Sequence, residues 1–241
     1  QFCRYIPLLD DCADEIFFEC QPALKELMGS LDQHVVIRSP EDPIIKIDYY
    51  VPLLSLPMVH GTDMETIPSA IPYLKSDTHL TQKWQDKFDR ARPNVGLVWS
   101  GNPNRQDDHM RSCPPEFLHS ILEVGGCYFV SLQKEGVPHS LVPLSDLSAE
   151  LTDFSQTAAI IMALDLVITV DTAVAHLAGA LGKPVWVMLG YTADWRYLLS
   201  REDSPWYPTM RLFRQTSPGD WISLTTKIAS ELKSWILVGR S

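Results

Sequence analysis

Four short runs of unbroken apolar residues constrain this chain more than any other feature. NVGLVWSG (94–101), CYFVSLQ (127–133), DLVITV (165–170) and PVWVML (184–189) have the length and the β-branched or aromatic content of strands buried on both faces. Segments with helical spacing lie between them: PEFLHSILEV (115–124), FSQTAAIIMAL with Asp153 or Ser155 as N-cap, and the alanine-rich DTAVAHLAGAL, stopped by Gly182. Apolar strands that alternate with helices belong to a parallel sheet covered on both sides. The expected fold class is α/β.

Upstream the alternation is shorter. QFCRYIPLL reads as an amphipathic helix with Phe2, Tyr5, Ile6 and Leu9 on one side, EIFFEC (15–20) as a buried strand, QPALKELMGS as a helix ended by Gly29, and HVVIRS (34–39) as a second strand. The proline-punctuated stretch 43–72 holds DYYVPLLSLP, expected to be a strand running into a loop. TQKWQDKFDRAR reads as a polar connecting helix, packed on the outside and ended by Pro93. The expected organisation is a partial N-terminal, acceptor-side lobe over 1–75, a connector over 76–93 and a C-terminal lobe over 94–241. The opening residues have no signal-peptide layout and nothing precedes them as a cap, so the chain is expected to begin inside a domain.

Composition narrows the function. Thirty acidic residues against 20 basic ones, in 241, give a formal charge of −10, which offers no general attraction to nucleic acid or anionic lipid. No apolar run reaches the roughly 18 residues of a membrane span, so no transmembrane segment is expected. The five cysteines have no CxxC or CxxH spacing and suit free thiols in a reducing, cytoplasmic setting. The seven histidines form no HExxH or His/Cys cluster, and no metal site is expected.

Ligands of open α/β sheets bind outside the carboxyl ends of the strands. Three polar loops fall there: Ser100-Gly101-Asn102, Gln133-Lys134-Glu135 and Asp171-Thr172-Ala173. The last opens a helix, whose first N–H groups and dipole suit an anion. Thr172 and Ala173 are small enough to let a diphosphate approach, Asp171 can cap the helix or accept a ligand hydroxyl, and His176 lies within reach of a phosphate. An ordinary capped helix with a packed histidine explains the same residues. Ser100-Gly101-Asn102 has neither GxGxxG nor a Walker pattern and reads equally as a tight turn. Arg105 and Arg111 match phosphate oxygens, or form a solvated cluster with Asp107 and Asp108. Trp195, Tyr197, Trp206 and Tyr207 suit stacking on a sugar or base, or a packed loop. No nucleophile motif is present.

VITVDTAVAHLAGALGKPVWVML, followed by DWRYLLSREDSPWYPTMRLFRQ and GDW, closely resembles the glycosyltransferase family 9 domain. GLVWSGNPNRQDDHMRS, VSLQKEG and the QFCRYIPLL opening resemble the subgroup with tetratricopeptide repeats ahead of that domain. The resemblance implies a GT-B-like fold of two Rossmann-like lobes with parallel sheets, the N-terminal one incomplete here. It implies a metal-independent transferase with no cofactor, which moves a sugar from a nucleotide-diphospho-sugar to the hydroxyl of a saccharide, lipid-linked or protein acceptor. It assigns the donor diphosphate and sugar to Ser100, Gly101, Asn102, Arg111, Asp171, Thr172, Ala173 and His176, and the nucleoside to Gln133 and Lys134. The family's Gly-Asp loop, the usual carrier of the catalytic base, is absent, so the catalytic residue stays unassigned and the chain is expected to bind donor but transfer poorly. A non-catalytic sugar-nucleotide or protein-binding module and a GT-B epimerase are the competing readings.

Overall fold

The computed structural model describes residues 1–32, 34–43, 45–141 and 144–238. In chain order the elements are β1 (Ile16–Glu19), α1 (Lys25–Met28), β2 (Val35–Arg38), α2 (Leu56–Val59), α3 (Thr78–Gln85), β3 (Asn94–Val98), α4 (Asp108–Arg111), α5 (His119–Leu122) and β4 (Tyr128–Ser131). They continue with β5 (Ser145–Asp146), α6 (Phe154–Ala163), β6 (Leu166–Val170), α7 (Ala173–Ala180), β7 (Val185–Leu189), β8 (Met210–Arg214) and α8 (Trp221–Val238). Short 3₁₀ turns join several of them.

The larger sheet has six strands in the order β5-β4-β3-β6-β7-β8, all parallel. Every residue of β3, β6 and β7 is buried, as unbroken apolar runs require when both faces are covered. Alternate residues divide between two cores. Val95, Leu97, Leu166, Ile168, Trp186 and Met188 meet α5 and α8 on one face. Val98, Val167, Val185, Val187 and Leu189 meet α6 and α7 on the other. That second core continues without a break into Tyr5, Ile6, Leu27, Leu56, Leu74 and Trp84, so the N-terminal elements pack on the sheet's α6–α7 side. No helix among the described residues is long and apolar enough to cross a membrane.

The N-terminal elements depart from expectation in several ways. Phe2–Leu9 is a 3₁₀ helix with Pro7 inside it, and Arg4 joins Cys3, Tyr5 and Ile6 among its buried residues. β1 pairs in parallel with β2 but alternates between half-buried and exposed positions rather than lying fully buried. DYYVPLLSLP is no strand. Proline cannot donate to a ladder, and the segment instead forms a 3₁₀ turn over Leu53–Ser55 and α2, leaving Tyr49 and Tyr50 almost fully exposed. The connector is helical only over α3, and it buries Trp84 and Phe88 against the body of the molecule.

Candidate functional site

β3 is the first strand of the large sheet. The chain leaves it towards β4 and β5 on one side and returns through β6, β7 and β8 on the other. The loops that follow β3 and β6 therefore diverge at the carboxyl edge, where open α/β sheets hold their ligands.

Thr172, in extended backbone, is the N-cap of α7, and no side chain caps that helix. Thr169 Oγ1 donates to the Val170 carbonyl, so the contact between Thr172 Oγ1 and Thr169 Oγ1 at 3.0 Å turns the Thr172 hydroxyl proton inward. Ala173 is exposed at the first turn. An uncapped helix start with a small exposed residue leaves N–H groups and the positive dipole end for an anion.

Arg111, mostly buried, comes from the β3 side of the crevice. Its Nη1 donates to the Asp171 carbonyl at 2.9 Å and its Nε to Asp108 Oδ1 at 2.9 Å. Asp108 Oδ2 accepts from Ser112 Oγ at 2.7 Å, and that oxygen accepts the Gly101 N–H at 2.9 Å. A Cβ on Gly101 would run into Arg111 Nη2 and Asp108 Oδ1, so a larger residue there displaces the ends of this ion pair. Asn102 is exposed and turns the loop by accepting the Asn104 N–H through Oδ1. Arg105 pairs with Asp107 at the surface, as a solvated cluster would.

Asp171 does not cap α7. Its Oδ1 accepts the hydroxyl of buried Tyr197 at 2.7 Å. The same oxygen lies 3.9 Å from His176 Nε2, too far for a hydrogen bond. His176 is packed rather than free. Its Nδ1 is 3.2 Å from Tyr207 Oη, and its ring is stacked parallel to Tyr197 at 6.4 Å. Burial first, with Arg196 and Arg4 adding to it, holds the imidazole pKa well below 6.5, so the ring is neutral. Burial first, then the Asp171 carboxylate, pushes the Tyr197 hydroxyl well above 10, and burial does the same for Tyr207. Both phenols therefore stay protonated.

Gln133 is buried and shapes the loop. Its Oε1 accepts the Trp99 and Ser100 N–H groups at 3.3 and 3.2 Å, and its Nε2 donates to the Ser100 carbonyl and to Glu135. Lys134 is exposed, with Nζ donating to the Leu151 carbonyl. The Gln133 amide is therefore committed to its own loop. Of the four aromatic candidates, Tyr197, Trp206 and Tyr207 are packed and Trp195 alone is exposed, edge-on to Trp206. The supporting residues Asp108, Ser112, Tyr73 and Arg4 carry no sequence motif. Asp108 lies one turn from both Arg111 and Ser112, a spacing that signals the pairing.

A cavity of about 780 Å³ lies at the opposite, amino-terminal edge of the sheet, lined in part by Arg90, Arg92, Asn94, Asp165 and Trp235. None of the site residues lines it, and the crevice, not this cavity, carries the convergent chemistry. Among the described residues, Asp10, Asp32 and His34 place ligand atoms within 4.8 Å of one another, the spacing of a possible ion, but an exposed acidic group is common without one. No residue of the crevice belongs to that group.

Fold and crevice together define a class: open parallel α/β proteins whose ligand edge is a helix terminus faced by a guanidinium. Residues 146–218, from β5 to the loop before α8, match the model of Glycosyltransferase family 9 (heptosyltransferase). Protein FlbA of Caulobacter vibrioides is 28% identical over 206 residues, which are 79% of this chain and 34% of FlbA. The chain thus spans about a third of the length of that relative. The E. coli ADP-heptose LPS heptosyltransferase II matches with a TM-score of 0.65 at 13% identity, covering 100% of this chain and 96% of that one. The α/β fold with parallel sheets is the GT-B-like fold of that enzyme.

Proposed function

We propose that this chain binds a nucleotide-diphospho-sugar at the α7 crevice and serves glycosyl transfer to an acceptor hydroxyl, with residues 94–241 as the donor lobe and 1–75 on the acceptor side. One observation carries the reading: the uncapped α7 terminus faces Arg111 across the switch point, and Arg111 is already bonded to the Asp171 carbonyl. Helix N–H groups and a guanidinium fork are the chemistry that holds a diphosphate and stabilises it as a leaving group. Because they supply positive charge themselves, no metal ion is required for that role. The family match over 146–218, which contains α7, supports the donor assignment. The sequence blocks around Ser100 and Gln133 support placing it with the subgroup that carries tetratricopeptide repeats, and a saccharide, lipid-linked or protein hydroxyl as acceptor.

A non-catalytic sugar-nucleotide module is favoured by a different observation. The carboxylates around the crevice are already engaged: Asp108 with Arg111, Asp171 with Tyr197, Asp194 with Arg196, and Glu135 with Gln133. None of these four stands unpartnered as a ready general base.

The test is a thermal-shift panel of ADP, UDP, GDP and their sugar conjugates, with and without EDTA. At 100 times its Kd a ligand stabilises by about 2.7 kcal/mol. We expect one nucleotide family to raise the melting temperature equally in both conditions. Strict dependence on magnesium or manganese would overturn the metal-independent reading, and silence across the panel would overturn donor binding. Release of nucleoside diphosphate from the bound conjugate then separates a transferase from a binding module.

A further inference from the structure

We infer that Tyr207 donates its hydroxyl proton to Nδ1 of His176, which fixes the neutral imidazole as the Nε2–H tautomer and aims that N–H at the loop opening α7. Tyr207 is thus a positioning residue for a hydrogen-bond donor at the crevice. The use of this donor by a diphosphate oxygen rests on the reading above; the tautomer does not.

A neutral imidazole has one donor and one acceptor nitrogen, and its neighbours decide which is which. The groups facing His176 are Tyr207 at Nδ1, Asp171 near Nε2 and the stacked Tyr197, while Arg196 and Arg4 bear on it through their charge. Two independent observations set the direction.

The first comes from behind the ring. Arg4 is buried, its guanidinium 4.5 Å from the Tyr73 ring centre and 4.7 Å from that of Tyr207. Its Nη1 donates to the Pro68 and Trp206 carbonyls, and its Nη2 donates to Tyr73 Oη at 3.3 Å. A guanidinium only donates, so Tyr73 Oη is an acceptor there, and its own proton is shared between two oxygens 3.5 Å away, the Gln1 carbonyl and Tyr207 Oη. Tyr207 then gives its proton to His176 Nδ1 at 3.2 Å, the shorter of its two contacts. A buried cation at one end polarises the hydroxyl chain away from itself.

The second observation is in front of the ring. The Asp171 carboxylate oxygen stands 3.9 Å from Nε2. An N–H there meets the negative charge favourably, whereas the opposite tautomer would set a nitrogen lone pair against it. The carboxylate in front selects Nε2–H, and the shorter Tyr207 contact behind the ring agrees with it. Gly179 secures the arrangement, because a Cβ there would lie 2.5 Å from the Tyr207 ring and push its hydroxyl out of line.

The experiment uses the ¹⁵N-labelled chain and long-range ring ¹H–¹⁵N correlations at neutral pH, with the His176 signals assigned by their loss in His176→Gln or their shift in Tyr207→Phe. We expect a pyridine-type Nδ1 and a pyrrole-type Nε2; the reverse pattern overturns the inference. Tyr207→Phe keeps the ring and removes the proton, so the two tautomers should mix and affinity for ADP or UDP should fall roughly five- to tenfold. A pure Nε2–H tautomer and unchanged affinity in Tyr207→Phe would overturn the positioning role. His176→Gln, which keeps an N–H near the Nε2 position, should bind better than His176→Asn, which does not; equal loss in both folded variants counts against the donor. Should the parent bind no nucleoside diphosphate, the spectrum still decides the tautomer, and the diphosphate reading is what falls.

Discussion

Ala173 is the residue at which site and scaffold come apart. It is exposed in the first turn of α7, where a carboxylate favours the helix dipole by about 0.3–1 kcal/mol. Ala173→Glu should therefore fold and melt at or slightly above the parent's temperature. The same carboxylate would compete with a diphosphate for the same N–H groups, so nucleoside diphosphate affinity should collapse. Calorimetric titration of the variant checks this, and parental affinity would move the site elsewhere. At this scale the sequence was a partial guide. The spacing of Asp171, Thr172, Ala173 and His176 pointed to the start of a helix, which α7 is, but it could not show that Asp171 bonds to Tyr197 instead of capping α7, because the two residues are 26 positions apart. Gln133 was likewise recognisable as polar and well placed, while its full use on the Ser100 loop depends on strand pairing that no local pattern reveals.

Among the elements, α6 offers the cleanest stability test. Asp153, in extended backbone, accepts the Gln156 N–H at 2.8 Å and caps the helix, as expected from the sequence. Asp153→Ala should cost about 1 kcal/mol, which for a chain of this length lowers the melting temperature by about 2–4 °C. A melt unchanged by the substitution would show that tertiary packing alone holds the helix start. The strands β3, β4, β6 and β7 were legible because burial on both faces leaves an unbroken apolar run. β8 was not, since Arg211 and Arg214 interrupt its run; the structure shows Arg211 paired with Glu231 and lying 4.8 Å from the Phe213 ring centre. β5 has only two residues and no pattern to read. α8 does carry a signal, with Trp221, Leu224, Thr225, Ile228, Ala229, Leu232 and Ile236 on one buried stripe.

For the whole molecule, His176 ties stability to pH. Unfolded, its imidazole gains a proton near pH 6.5; folded, burial and nearby cations keep it neutral well below that. Between the two values the unfolded chain binds more protons, so this contribution is complete above about pH 6.5 and is lost as pH falls below it. Melting temperatures measured from about pH 7.5 down to about pH 5.5 should fall, and fall less steeply in His176→Gln, which has no proton to gain. Identical slopes in the two proteins would assign the pH dependence to other groups.

Arg4 carries a consequence for anyone recombining this chain with a relative. The connector around α3 looks like the natural seam, yet the guanidinium of the first helix is enclosed by Tyr73, Trp206 and Tyr207 and bonds to carbonyls at Pro68 and Trp206. A hybrid joined within 76–93 would set a foreign opening helix against this aromatic box. Unless that helix brings its own buried cation, the Trp206 carbonyl loses its donor and Tyr207 loses the charge beside its ring. The exchangeable unit is consequently not a lobe but a lobe together with the arginine that plugs into its neighbour.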